Sequence, residues 1–181
     1  MGMPAPHAVT TIEELLALPE DGLRHELLDG EHVVTPAPTK LHQRVLAEFY
    51  HALRPAIHAR ADIEVLFSPA DIHLGPKTLV QPDLFIVVRD NRSWADTPAP
   101  MLTVEILSPS TAARDGGKKR RLYLEAGVEE YWVVDIDARL VERWRQGDDR
   151  PEIVDETLAW SLSVGAAGEI DLPALFEPLC A

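Results

Sequence analysis

Two acidic residues stand where carboxylates are seldom placed. Asp83 lies inside the apolar run Val80–Val88, and Glu105 lies inside Met101–Leu107. Burying an unpaired charge is costly, so strand interiors normally exclude such groups. A basic burst follows at once: five of the chain's 17 Lys and Arg fall between Arg114 and Arg121. Alternation along a strand puts Asp83 on the face of Gln81, Phe85 and Val87, and Glu105 on the face of Thr103 and Leu107. If the two strands pair in suitable register, the carboxylates converge. At close range in a dry site they cannot both stay ionised without a cation between them. Oxygen ligands from carboxylates and a strand carbonyl, completed by water and a phosphate, suit Mg²⁺ or Mn²⁺. A plainer reading competes: each carboxylate sits at a strand end and accepts backbone hydrogen bonds.

The basic burst supplies a third group. Lys119, Leu122, Tyr123 and Ala126 share one helical face, which aims Lys119 at the sheet. Lys118 falls with Arg121 and Glu125 on a more solvated side. A lysine beside two carboxylates can orient water and stabilise developing negative charge. The plainer alternative is a solvated helix face along Lys118–Arg121. The mutual repulsion of Asp83 and Glu105 predicts that Asp83→Asn or Glu105→Gln raises the melting temperature of the metal-free protein. Lys119→Met is expected to leave the fold intact.

Other chemistries find little support. The seven histidines show no metal-ligand spacing, and His42, early in a long helix, is the one to watch. Ser108 and Ser110 lack a Gly-x-Ser-x-Gly elbow. No glycine-rich phosphate loop is present. Cys180 is the only cysteine, which excludes an intrachain disulfide and a Cys-based zinc site and fits a reducing cytoplasm. The N-terminus lacks the basic and apolar regions of a signal peptide. Met1-Gly2 is no myristoylation signal, because position 6 is Pro. No apolar run approaches a membrane span. The net charge of −13 argues against a sequence-independent nucleic-acid coat, although a local basic strip can still serve a narrow cleft.

The elements that must position these residues are legible in outline. With 181 residues the chain is read as one domain, 1–181. Thr11 and Glu14 make a capping box for a short helix. Leu23–Val34 reads as a strand, or as a hairpin around Asp29-Gly30. Thr39–Arg60 is a long helix with Leu41, Val45, Leu46, Phe49, Leu53 and Ile57 at helical spacing; Pro55 is expected to kink or end it. Ile63–Leu74 is a strand broken at Ser68-Pro69, and Gly75-Pro76-Lys77 turns the chain. The strands Val80–Val88 and Met101–Leu107 follow, the second ended by Ser108-Pro109, with the polar loop Asp90–Pro100 between them. A helix covers roughly Lys118–Ala126, with Gly127 as C-cap. Glu130–Ile136 and Leu140–Arg145 form a hairpin; weak strands and a Leu172–Phe176 helix complete the tail. The order from Thr39 to Asp135 is helix, three strands, helix, strand. The fold class is therefore α/β, a central mixed sheet flanked by helices with N-terminal and C-terminal β additions.

Four segments together resemble the Uma family of restriction-endonuclease-like nucleases, the PD-(D/E)XK fold. They are LPEDGLRHELLDGEHVVTPAP, QPDLFIV, VEILSPST and RDGGKKRRLYLEAGVEEYWVVD. The resemblance implies metal-dependent hydrolysis of phosphodiesters in nucleic acid, DNA in the first place. It assigns Asp83, preceded by Pro82, and Glu105 as the acidic pair, with Leu107 where the pattern has lysine and Lys119 in its place. Mg²⁺ or Mn²⁺ would sit on Asp83, Glu105 and the backbone carbonyl of Ile106 or Leu107, with Lys119 positioning water. Glu26 or Glu31 would add a further carboxylate. A homodimer follows by analogy with nucleases that cut two strands. The alternative is a catalytically weak or inactive nuclease-fold protein that serves as a binding or assembly module.

Overall fold

The computed structural model describes residues 8–107 and 112–180. Met1-Gly2, Ser108-Pro109 and Ser110 lie outside the described residues, as do the side chains of Arg114 and Cys180. In chain order the elements are α1 (Ile12–Leu16), β1 (Arg24–Leu28), β2 (Glu31–Thr35), α2 (Lys40–His58), β3 (Ile63–Phe67), β4 (Ile72–Gly75), β5 (Thr78–Val80), β6 (Leu84–Val88), β7 (Leu102–Ile106), α3 (Ala112–Glu125), β8 (Glu130–Asp135), β9 (Leu140–Arg145), β10 (Glu152–Val154), β11 (Thr157–Ser161), β12 (Ala167–Asp171) and α4 (Leu172–Phe176).

The strands form a six-stranded sheet in the order β10-β9-β8-β7-β6-β3, a four-stranded sheet β2-β1-β5-β4 and the pair β11-β12. The large sheet is mixed: β7 and β8 run parallel, joined by α3, and its other neighbours are antiparallel. A parallel pair needs such a crossover, whereas the antiparallel neighbours β8 and β9 need only a tight turn. This is the expected mixed sheet flanked by helices.

Strand alternation sorts the core into two layers. Val45, Phe49, Leu53 and Ile57 of α2 pack with Leu84, Ile86, Leu102, Val104 and Ile106. On the opposite face Phe85, Val87, Tyr131 and Val133 pack with Tyr123 of α3 and with Leu28 and Val80 of the small sheet. Asp83 and Glu105 belong by parity to this second face.

Several expectations need correction. The run Val80–Val88 is not one strand: β5 ends at Val80 in the small sheet and β6 begins at Leu84 in the large one. Pro82, which has no N–H to give a ladder, lies in the handover, and Asp83 stands just before β6. Pro55 does not end α2, which continues to His58. Leu41 is exposed, while its neighbour His42 is buried. The helix expected over Lys118–Ala126, α3, begins well before Lys118, at Ala112, and ends at Glu125. The capping box of Thr11 and Glu14 and the hairpin turn at Asp29 (φ 51°) and Gly30 (φ 77°) are present as read. Gly30 also gives its amide to the Lys77 carbonyl at 2.8 Å, which ties the hairpin to β5.

Candidate active site

Antiparallel pairing places Leu84 opposite Val104, Phe85 opposite Thr103 and Ile86 opposite Leu102. One step along each chain are Asp83 and Glu105, so the register brings the two carboxylates to adjacent places at the end of the sheet. The handover loop is pinned there. The Ser68 amide donates to the Asp83 carbonyl at 3.1 Å, and the Ser68 hydroxyl donates to the Pro82 carbonyl at 2.6 Å.

Asp83 receives donors from three elements. Arg24 Nη2, at the start of β1, lies 2.9 Å from Oδ1. The Ile106 amide donates to Oδ2 at 2.9 Å, and His42 Nε2, in the first turn of α2, lies 3.1 Å from the same oxygen. A carboxylate only accepts, so Nε2 carries the proton and Nδ1 is left buried with no hydrogen-bond partner among the described residues. Burial works against the Asp83 charge, but the His42 hydrogen bond, the Arg24 charge and the Ile106 amide outweigh it and bring the pKa down to about 2.

Glu105 is placed differently. Its Oε1 takes the Tyr123 hydroxyl at 3.0 Å and Lys119 Nζ at 3.3 Å. Burial dominates and pushes its pKa up to about 8; Lys119 opposes the rise, and the charges of Asp83 and Glu26 add to it. Lys119 also lies 2.8 Å from Glu26 Oε2, close in distance but poorly aligned as a hydrogen bond. Glu26 Oε1 accepts the Gln81 amide at 2.7 Å. Burial disfavours the ammonium, yet Glu105 and Glu26 hold its pKa well above the ordinary lysine value.

The structure thus brings Asp83, Glu105, Lys119 and the Ile106 backbone to one place, and adds Arg24, Glu26, His42 and Tyr123. Glu26 joins the cluster; Glu31 does not, being exposed and 2.6 Å from Lys118 Nζ. The rest of the basic run follows the plainer reading. Arg120 lies over the Trp144 ring, 4.0 Å from its centroid, and Arg121 pairs at the surface with Glu125 and Asp29. The sequence does not single out Arg24, and it offers Glu26 only beside Glu31, with no place for either. Arg24, Glu26 and Leu28 share one face of β1, and α3 packs against this strand, leaving Glu26 1% exposed.

The donor chemistry of carboxylates and a backbone carbonyl suits Mg²⁺, but the arrangement does not. Both oxygens of Asp83 already take protein donors, and no group of three or more His, Cys, Asp or Glu side chains among the described residues is arranged to hold a metal. The Asp83 environment also overturns the expected stabilisation by Asp83→Asn. Loss of the charge facing Arg24 and the Ile106 amide will lower the melting temperature, by the equivalent of roughly 1–3 kcal/mol, the scale of charge-assisted buried hydrogen bonds. Thermal melts of the two metal-free proteins check this; a rise for Asp83→Asn would restore the repulsion argument.

A mixed sheet with α2 on one face and α3 on the other, and acidic residues at the end of adjacent strands, defines a restriction-endonuclease-like architecture. Residues 12–173 match the family described as "Uma2: Putative restriction endonuclease", and the chain belongs to that family. Among solved structures it is similar to one titled as a putative nuclease belonging to DUF820 from Anabaena variabilis ATCC 29413. The two share 22% identity and a TM-score of 0.77, over 93% of this chain and 98% of that one. No curated protein matches. Among the described residues no helix is long and apolar enough to cross a membrane.

Proposed function

We propose that the chain acts as a nuclease-fold binding module, with weak or no cleavage of its own in the arrangement described. The observation that carries this reading is that each buried carboxylate already contacts protein cations or donors: Asp83 contacts Arg24, His42 and the Ile106 amide, and Glu26 and Glu105 share Lys119. Such a cluster fixes the junction of β1, the β6–β7 end and α3 without a metal. The net charge of −13, with surface cations such as Lys118, Arg60 and Arg92 tied to acidic neighbours, suits a basic protein partner.

A second reading is favoured by the register that makes Asp83 and Glu105 neighbours, with Lys119 on Glu105. It is a Mg²⁺- or Mn²⁺-dependent endonuclease of the cytoplasm acting on nucleic acid, DNA first. In it Asp83, Glu105 and the Ile106 carbonyl hold the metal, Lys119 positions water, and a homodimer cuts two strands.

Calorimetry with Mn²⁺, run beside a Mn²⁺-supported cleavage assay on DNA and RNA, separates the two. The binding-module reading expects no saturable Mn²⁺ binding beyond that of Asp83→Asn, and no cleavage. Binding and cleavage by the wild type, both lost in Asp83→Asn, would replace the first reading with the second.

A further inference from the structure

We infer that Arg24 is a built-in cation of this site: its guanidinium neutralises Asp83 in place of a divalent ion and excludes that ion while the pair is intact. The inference rests on the reading that the protein's own cations close the site, and it assigns that closure to one residue.

The charges of the cluster do not balance. Three carboxylates, Glu26, Asp83 and Glu105, face two permanent cations, Arg24 and Lys119. With every carboxyl ionised, one negative charge is left over in a buried place. A divalent ion in place of the guanidinium would leave none. With all three carboxyls ionised, the site is therefore one positive charge short of neutrality for as long as Arg24 supplies the charge at Asp83.

The two cations differ in how readily each can leave. Lys119 has a side chain 4% exposed and is held between two carboxylates on a helix packed against the sheet. Arg24 has a side chain 16% exposed and stands at the first position of β1. The chain enters that strand through Gly22, whose φ is +78° and whose surroundings are open. Arg24 belongs to the small sheet and Asp83 to the handover before β6, so parting their side chains breaks no strand pairing. The Arg24–Asp83 contact of 2.9 Å is on Oδ1, while the Ile106 amide and His42 keep Oδ2. Withdrawing Arg24 frees one oxygen of Asp83 and leaves the other anchored. Two cations cannot share that oxygen without strong mutual repulsion at this range, so occupancy by one excludes the other.

Arg24→Gln keeps a hydrogen-bond donor and removes the charge; Arg24→Lys keeps the charge. Mn²⁺ binding by calorimetry should be about tenfold or more tighter in Arg24→Gln than in the wild type, within the usual range of coupling between two competing ligands. Arg24→Lys should stay near the wild type. Without metal, Arg24→Gln should melt lower than the wild type, and saturating Mn²⁺ should restore more of its melting temperature than it adds to the wild type. If Arg24→Gln does not fold unaided, Mn²⁺-dependent recovery of its far-ultraviolet circular dichroism replaces calorimetry. Arg24→Gln binding Mn²⁺ no tighter than the wild type, failing to recover with Mn²⁺, or being matched by Arg24→Lys overturns the inference. Mn²⁺ binding with cleavage by the wild type would overturn the binding-module reading instead, so the two failures are told apart.

Discussion

Lys119→Met will destabilise the protein on the order of 3–5 kcal/mol, the usual loss when one partner of a buried ion pair is removed. The change keeps most of the side chain's volume, so the loss comes from charge rather than from a cavity. Lys119 is 3% exposed and lies 2.8 Å from Glu26 and 3.3 Å from Glu105. Without it both carboxyl groups remain buried, beside Asp83, with no ammonium facing them. At this chain length the melting temperature should fall by roughly 10 °C. The abandoned carboxyls can escape by taking up protons, so the deficit should be larger at pH 8 than at pH 5. Lys118→Met is the control. Its partner Glu31 has a side chain 61% exposed, and an exposed pair of that kind is worth about 1 kcal/mol or less. Melts of both variants at the two pH values decide the matter. Equal and small losses would mean that Lys119 is not the counter-ion of the cluster. A loss of that size would correct the expectation, drawn from the helical wheel and the preserved side-chain volume, that Lys119→Met leaves the fold intact.

That wheel shows what the sequence can and cannot deliver. Periodicity put Lys119 on the face of Leu122 and Tyr123, and this is where it lies, because a single helix carries its geometry in its own spacing. The partner was beyond reach. Glu26 is contributed by a hairpin of another sheet, and nothing local reports that α3 will cover it. Asp83 was legible as an anomaly in an apolar run, yet the run was read as one strand; the handover between two sheets at Gln81-Pro82-Asp83 depends on which strands pair, a non-local fact. Arg24 escaped notice for a plain reason. Arginine at the start of a polar-looking hairpin is ordinary, and only the tertiary fold sets it against Asp83. His42 was singled out by position, but its contact with Asp83 requires α2 and β6 to meet at one end of the sheet. Helix and hairpin boundaries with local caps, such as Thr11 with Glu14 and Asp29 with Gly30, were accurate because the chemistry that fixes them is adjacent in sequence.

The two acidic residues first read as a pair behave in opposite ways, and this gives the other large effect. Stability of the wild type will fall as pH rises from about 4.5 to about 8, and Glu105→Gln will remove most of that fall. Glu105 goes from its ordinary value of 4.5 up to about 8 on folding, chiefly through burial. A raised folded value means the contribution is fully present below the unfolded value and is lost as pH climbs through the folded one. A shift of this size corresponds to roughly 3–5 kcal/mol. Asp83 has the opposite sign: its value drops from 3.8 to about 2, so its contribution is present above 3.8 and disappears as pH falls through 2. The surface carboxylates Asp21, Asp62, Asp90 and Glu152, held low by His25, Arg60, Arg92 and Arg143 in turn, also lose their contributions on the acid side. His32 acts within the window and against the fall, because burial and His25 hold its pKa below 6.5. Comparing wild type and Glu105→Gln at the same pH cancels that contribution. The substituted amide keeps an oxygen for Tyr123 and Lys119 and cannot ionise, so Glu105→Gln mimics the protonated state at every pH. The two proteins should therefore be nearly equal in urea melts at pH 5, and Glu105→Gln should be the more stable at pH 8.5. Parallel profiles with the same slope would show that Glu105 keeps an ordinary carboxylate pKa in the folded protein.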